Sequence, residues 1–558
     1  MTADILIVGA GTAGSVLAAR LSENISRRVE LLEAGPDIVP GHEPWDIRST
    51  FPYASFNPRY LWPGLKVHWR RRHDSPASPF AQARIVGGGS TVMGMWALRG
   101  MPEDYDGWAA QGATGWGWSD VLPVFRRLEH DVDFDGPAHG RHGLIPVRRL
   151  FRPDWSPFAA AVHAAAGPLG FPDVPDMIAD GSDGHCVLPM SRTETGRASA
   201  GLCYLTAAVR ARRNLRIEAE ATVERLVFEG RRAVGVEFRR PDGTREVRRA
   251  GTVILAGGAI GTPLAMLRSG IGPADHLREA GRPVLHGSAG VGANLQNHPL
   301  LPVLTFLARP GREASGRPNA CTYLRWSSGL PGTGPGDLGL YIRSYVAWHA
   351  LGRQMGMLSP VLMAPRSRGR VRLDPDAGPA GALIEFDFLS DPADVERLVR
   401  MLRLALALFA APSCRAIASP PFVMQDAARL AAMNDISWVN GARAGLAAML
   451  RDASPRLGGA LLRRMARLDP VEEGGDAELA AIVTGAVIGT NHVAGTCRMG
   501  SADDPLAVAD PSGRVYGLDA LRIADASLMP TVPSGNTHLP TVMVAEKIAG
   551  AMAATARS

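Results

Sequence analysis

The chain has 558 residues, of which 46% are hydrophobic and 20% charged, with a formal net charge of +6. That length exceeds one simple core, so two domains are expected, and no apolar run reaches the roughly 18 residues of a membrane span. The arginines are scattered and the tight cluster Arg70-Arg71-Arg72 reads as a solvated loop, so neither a membrane nor nucleic acid is an expected partner.

The chain opens on Asp4 to Gly35. Ile5-Leu6-Ile7-Val8 reads as a buried strand and Gly9-Ala10-Gly11-Thr12-Ala13-Gly14 as a glycine turn. An Ala/Leu helix follows to about Leu21, and a second strand, Val29 to Leu32, ends in Glu33-Ala34-Gly35. This is the dinucleotide-binding βαβ fingerprint in its required context. Gly9 permits the tight turn, Gly11 admits a pyrophosphate to the backbone, and Gly14 lets helix and strand pack with the helix N-terminus facing the anion. Glu33 lies 19 residues past Gly14, at the spacing of a ribose-binding carboxylate. Alone, this stretch leaves nicotinamide and flavin equally open. The strand start at Ile5 leaves no room for a secretory signal.

A Pro/Trp-rich connection through Tyr53, Trp62 and Trp69 leads to Arg84-Ile85-Val86-Gly87-Gly88-Gly89-Ser90-Thr91-Val92-Met93-Gly94-Met95. Its glycines and hydroxyls can wrap a phosphate or a ring edge, although a flexible turn is the plainer reading taken alone; the GK[ST] of a nucleoside-triphosphate loop is missing. One helix is predicted from Asp104 to Glu129, with Trp108, Trp116 and Trp118 in the core. His163 and His185 read as structural. Leu215 to Phe238 reads as two strands around a hairpin at Phe228-Glu229-Gly230-Arg231. Thr252 to Gly258 is a buried strand, followed by a helix that starts at Pro263 and stops at Ser269-Gly270. Ala382 to Leu389 alternates as a strand does, and 425–475 is Ala/Arg/Leu-rich and helical, as a lid, an oligomer contact or packing. The glycine-rich strand style returns in Gly489 to Thr496, Leu521 to Pro530 and Gly535 to Pro540, running into a helix that carries Lys547. The five cysteines, Cys186, Cys203, Cys321, Cys414 and Cys497, lack CxxC or zinc-ligand spacing, so reduced thiols in a cytoplasmic protein without a metal site are expected.

Four blocks together resemble the glucose–methanol–choline family of FAD-dependent oxidoreductases: Gly9 to Gly14 with Glu33; Arg84 to Gly100; Gly258 to Gly272 followed by Gly292-Ala293-Asn294-Leu295-Gln296-Asn297-His298; and the pair His492 to Gly500 with Asp525 to Lys547. Pro102 to Trp108, Gly513 to Gly517 and Met529 to Pro533 are most similar to the branch that oxidises aromatic and furanic alcohols. The resemblance implies an α/β fold. A Rossmann-like FAD-binding domain (1–150, 200–300 and 485–558) would be joined to a discontinuous substrate-binding domain (151–199 and 301–484) built on an antiparallel sheet with helices. It also implies FAD held by Gly9, Gly11, Thr12, Ala13, Gly14, Glu33, Ala34, Arg84, Gly88, Ser90, Met93, Gly94, Val223, Asp525, Ala526, Asn536 and Thr537. A plain strand-to-helix turn cap is the alternative for Asp525. Departures from the family pattern are Gly89-Ser90 for Ser-Ser, Met93 for Asn, Asn297 for Asp and His538 for Asn. Val92 stands where some relatives attach FAD through histidine, so non-covalent FAD is expected.

Oxidising an alcohol removes a hydroxyl proton and a hydride from carbon, and an imidazole is the natural proton acceptor near neutral pH. A histidine taken alone is more often structural, but His492 matches the family's catalytic histidine, and Asn536 falls at its second active-site position. His538 is the rival for that second role; with Asn491 it is a candidate for the substrate pocket. The expected reaction is oxidation of a primary, aromatic or furanic alcohol, with O2 or another acceptor taking the electrons and an oxidase favoured. The alternatives are a dehydrogenase of aliphatic or polyol alcohols, or a hydroxynitrile lyase on the same fold.

Overall fold

The computed structural model describes residues 2–313, 317–377, 381–424, 433–454, 458–460, 462 and 468–554. Its first layer is a parallel sheet. Strand β1 (Ala3–Val8) is buried on both faces except at Asp4, helix α1 (Thr12–Leu21) crosses over, and β2 (Val29–Leu32) returns beside β1, pairing Ile5 with Val29 and Val8 with Leu32. A continuous apolar run without alternation is what a doubly covered parallel strand requires. Leu215–Glu218 adds to the outer edge of β2. On the other side of β1 lies the long β3 (Arg245–Leu255). Its C-terminal half pairs with β1, and its N-terminal half pairs antiparallel with Arg232–Arg239. Helix α2 (Gly258–Arg268) follows β3; β4 (Leu521–Ile523) completes the sheet next to β3, and α3 (His538–Ala554) packs on α1.

Among the described residues, the second layer is a ten-stranded, largely antiparallel sheet that includes Val303–Phe306, Met355–Leu362, Leu338–Arg343, Thr322–Trp326 and Gly184–Val187, covered by the long helix Pro392–Ala410. Pro299–Leu300 and Ile488–Gly489, at the margins of segments expected in the cofactor domain, pair with each other in this sheet. The two strands flank His298 and His492, so these two histidines meet at the seam between the sheets.

Several expected elements differ. The single helix over 104–129 is two, Pro102–Ala110 and Trp118–Leu128, because Gly112 and Gly115 take positive φ (91° and 80°) between them. Trp108 and Trp116 are buried as expected, their indole N–H groups donating to Thr531 and to the Pro511 carbonyl. The stretch 215–238 holds three strands rather than two, since Leu215–Glu218 joins the parallel sheet while Thr222–Glu229 and Arg232–Arg239 form the hairpin. Helix α2 begins at Gly258, not Pro263; the proline sits inside it. The strand at 382–389 stops at Glu385, because Asp387 and Leu389 adopt φ of 55° and 63°. Within 425–475 the structure describes the helix Trp438–Ala453 and the strand Leu468–Pro470; 425–432, 455–457, 461 and 463–467 lie outside the described residues.

Candidate active site

The turn after β1 is shaped for an anion. Gly9 has φ +96°, and a Cβ there would stand 2.7 Å from the Ala256 carbonyl; one on Gly14 would stand 1.9 Å from the Gly9 carbonyl, so strand and helix touch backbone to backbone. Helix α1 has no side-chain cap and no acidic residue in its first turn, although most of its residues are buried. Buried helix N-termini without a cap require a ligand for their N–H groups, and a pyrophosphate meets that need. Glu33 lies at the end of β2, 6% exposed, its carboxylate accepting from Ala10 N and Gly35 N at 2.8 Å each, with burial pushing its pKa up. The chain comes back to this point at Glu220 and Ala221, whose N–H groups donate to the carbonyls of Gly35 and Glu33, and Val223 follows.

The second glycine block lies across the first. Gly87 N donates to Ala10 O at 2.7 Å, and a Cβ on Gly88 would meet Gly11 Cα at 2.9 Å. Ser90 is used locally, donating to Gly87 O and accepting from Ala200 N. Met93 and Gly94 keep accessible surface, as do Arg84, Gly88, His492, Thr537 and His538, while Val92, Met95 and Asn536 next to them are buried. Arg197 clamps the block from behind, donating to the carbonyls of Ile47, Ser90 and Met93; its Nη2 is buried without a partner, and burial lowers its pKa to about 9. An uncapped helix, a glycine crossing and an orphaned guanidinium N–H together fit FAD. Asp525 caps the turn Ala526–Leu528 through Ser527 N, and it also accepts from Gly258 N and Thr262 Oγ1. Both its oxygens thus pin the cofactor-facing turns after β3 and β4 together.

His492 stands where three segments meet. Its Nδ1 lies 2.9 Å from His298 Nδ1, and its Nε2 accepts from Asn536 Nδ2 at 2.7 Å. His298 Nε2 lies 3.1 Å from the Pro533 carbonyl, which can only accept, so that nitrogen carries the hydrogen. Neutral His298 then offers Nδ1 as an acceptor, His492 must donate from Nδ1, and the lone pair of His492 is left on Nε2. Burial lowers both pKa values, that of His298 to about 4 and that of His492 well below the usual range; for His492 the repulsion its charge would meet from a protonated His298 and from Arg343 adds to burial. Asn297 fixes the backbone of the loop. Its Oδ1 accepts from His492 N, Thr490 Oγ1 and His298 N, while Nδ2 donates to Thr490 O at 2.6 Å. That last bond explains the departure at 297, since an aspartate would set a bare acceptor against a carbonyl.

The two pocket candidates are placed differently. Asn491 is exposed and donates to Ala81 O at 2.8 Å, so it ties the loop to the 78–84 segment instead of facing the ring of His492. His538 opens α3, with Nδ1 3.3 Å from Ser191 Oγ and Nε2 buried without a partner; it bonds neither His492 nor Asn536 among the described residues. Asn536 Oδ1 is also buried and unpartnered, leaving an acceptor open beside the base. His298 and Arg197 carry no role in the sequence reading; His298 was visible within the Asn297-His298 motif, whereas nothing local marks Arg197. His163 and His185 bond each other at 3.0 Å, with Arg152 holding His163 and Asp173.

Two family models, each described as GMC oxidoreductase, match residues 3–300 and 365–545. The chain is 38% identical to the 5-(hydroxymethyl)furfural oxidase of Methylovorus sp. (strain MP688) over 572 residues, covering 98% of both chains. It is 32% identical to oxygen-dependent choline dehydrogenase 1 of Chromohalobacter salexigens, covering 98% of this chain and 94% of that one. Pyridoxine 4-oxidase from Mesorbium loti superposes with a TM-score of 0.82 at 27% identity over 99% of each chain. With matching models at both ends and relatives aligned along its whole length, the chain belongs to the GMC oxidoreductases and is an FAD-dependent oxidoreductase.

Proposed function

We propose that this protein oxidises a primary aromatic or furanic alcohol to its aldehyde, with His492 as the base and Asn536 as its partner. The observation that carries the reading is the relay Pro533–His298–His492–Asn536, which leaves an unprotonated Nε2 on His492 beside the Asn536 amide. Non-covalent FAD, when bound, supplies the hydride acceptor. The substrate hydroxyl replaces Asn536 as the partner of His492 Nε2 and gives up its proton there. The resulting imidazolium keeps its Nδ1–H on the His298 lone pair, so the charge forms with an acceptor in place. The Asn536 amide is then free to donate to the oxygen as negative charge develops. Glu33, Val223 and the α1 N-terminus hold the AMP half of the cofactor, and the 84–94 block with Asp525, Ala526 and Thr537 positions the rest. The name of the 38%-identical relative supports an oxidase, with O2 or another acceptor taking the electrons, and five unpaired cysteines support a cytoplasmic setting.

The test is anaerobic stopped-flow with benzyl-type alcohols. His492→Ala should slow flavin bleaching by at least about 10²-fold while the purified protein stays yellow; an unchanged rate overturns the assignment. Because Val92 is a buried aliphatic side chain, acid precipitation should leave the flavin in the supernatant; yellow colour retained in the pellet would show a covalent bond made elsewhere.

A further inference from the structure

Arg343 ends the strand Leu338–Arg343 of the second sheet, where Ile342 pairs with Thr322 and Arg343 with Met357. Its guanidinium lies over the Trp96 ring at 5.7 Å and beside the Tyr341 ring at 5.9 Å, and those two rings meet edge to face at 4.3 Å. Trp96 packs next to Gly94: its indole Nε1 stands 3.6 Å from where a Cβ on Gly94 would be, and Gly94 is exposed. Trp96 and Tyr341 share an apolar cluster with Leu300, and Ile488 packs against it; Leu300 and Ile488 pair in the strands that flank His298 and His492, so the guanidinium lies on that side of the sheet. Its positive charge is felt at His492.

The guanidinium is deep in the protein yet keeps part of its surface open, and among the described residues it makes no hydrogen bond or ion pair. Other deep arginines differ. Arg197 donates to backbone carbonyls, as does Arg325. Arg397 pairs with Asp337 and Asp394, and Arg451 donates to Gln354 Oε1 and Leu307 O. The two rings give the Arg343 cation its contacts and leave its N–H groups without an acceptor, and a carboxylate can accept from two of them at once. A buried cation without an acceptor is disfavoured, so a ligand that supplies one is bound strongly.

Building on the proposed alcohol oxidation, we propose that Arg343 anchors a carboxylate carried by the substrate, remote from its hydroxymethyl group. The substrate class is thereby an aryl or furanic alcohol that is also a carboxylic acid. The carboxylate stays unchanged in the reaction; the alcohol loses a proton to His492 and a hydride to FAD and leaves as the aldehyde acid.

The test compares 4-(hydroxymethyl)benzoate with its methyl ester, which keeps the ring and the alcohol and removes the charge, by anaerobic flavin reduction. Wild type should favour the carboxylate by about tenfold or more in kcat/KM. Arg343→Met should collapse that ratio by at least about tenfold, the loss falling on KM, and Arg343→Lys should retain part of it. A wild-type ratio near one overturns the proposal even if the variant fails to hold flavin, and so does a ratio that Arg343→Met leaves unchanged. If neither alcohol bleaches wild-type flavin, the alcohol-oxidation reading falls and takes this inference with it; if the ester bleaches as fast as the acid, only the inference falls.

Discussion

The lone pair on His492 Nε2 is set by a carbonyl two residues removed in contact. Pro533 O fixes the His298 tautomer, and His298 fixes that of His492. Burial, with Arg343 nearby, keeps His492 neutral at ordinary pH, since its pKa is lowered well below 6.5. A base with a lowered pKa is in its competent form above that value and loses it only on acidification. Flavin reduction should thus stay flat from pH 9 down to about 6.5, the ordinary histidine value, and fall only below it; a break above neutrality would mean that another group controls the step. His298 is a positioning residue in this scheme. His298→Leu removes the acceptor for His492 Nδ1–H and should slow reduction by about 10- to 100-fold, whereas His298→Gln, whose amide oxygen can accept that hydrogen, should recover part of the rate. Equal rates for Leu and Gln would reduce His298 to a packing role.

Helix α2 shows how an element can be misread from one residue. Proline is favoured in the first turn, so Pro263 marks a start in the sequence, yet the helix begins at Gly258. Pro263 has no N–H for the carbonyl of Ala259, and Thr496 Oγ1 supplies the missing donor at 2.7 Å from a loop more than two hundred residues away. The same loop carries His492, so this hydrogen bond ties the base to the helix behind the cofactor turn. Thr496→Val should leave a buried carbonyl unsatisfied and cost about 1–3 kcal/mol, read as a lower urea midpoint. Adding Pro263→Ala, which restores the helical N–H, should return much of the loss; strict additivity of the two changes would refute the coupling. Elements with a local signal were legible in the sequence: β1, α1 and β2 fall where apolar runs and glycines placed them, and the hairpin turns at Glu229–Arg232. Those set by a distant partner, such as the start of α2 or the outer strand Leu215–Glu218, were not.

At the scale of the molecule, the site exists because the two sheets bring 84–100, 298, 343, 492 and 536 to one seam. His492 and Asn536 could be named from motifs, whereas Arg343 and Arg197 have no local signature, and only folding gives them meaning. The same seam is braced by a charge network that the sequence also hides. Arg99, from the 84–100 block, pairs with Glu129; Arg149 makes a two-pronged bond to Asp131 at 2.8 and 2.9 Å. His139 joins Asp131 at 3.0 Å to Asp176 at 2.8 Å, just past the edge strand Asp173–Val174 of the second sheet. Three cations, Arg99, Arg149 and His139, thus face four carboxylates: Glu129, Asp131, Asp176 and, 3.7 Å from Arg149, Asp133. The carboxylates of Asp131 and Asp176 raise the His139 pKa to about 9, outweighing burial, and His139 with Arg149 in turn holds both of them below the usual range. A raised histidine pKa stabilises the fold fully below about 6.5, its unfolded value, and that contribution is lost as pH rises through about 9. The depressed carboxylates work in the opposite sense, contributing above about 4 and losing their effect on acidification. The melting temperature should accordingly decline between neutrality and pH 10, and His139→Gln, which cannot titrate, should flatten that alkaline slope while lowering stability at pH 6. A variant that melts lower but keeps the full slope would place the alkaline titration elsewhere in the molecule.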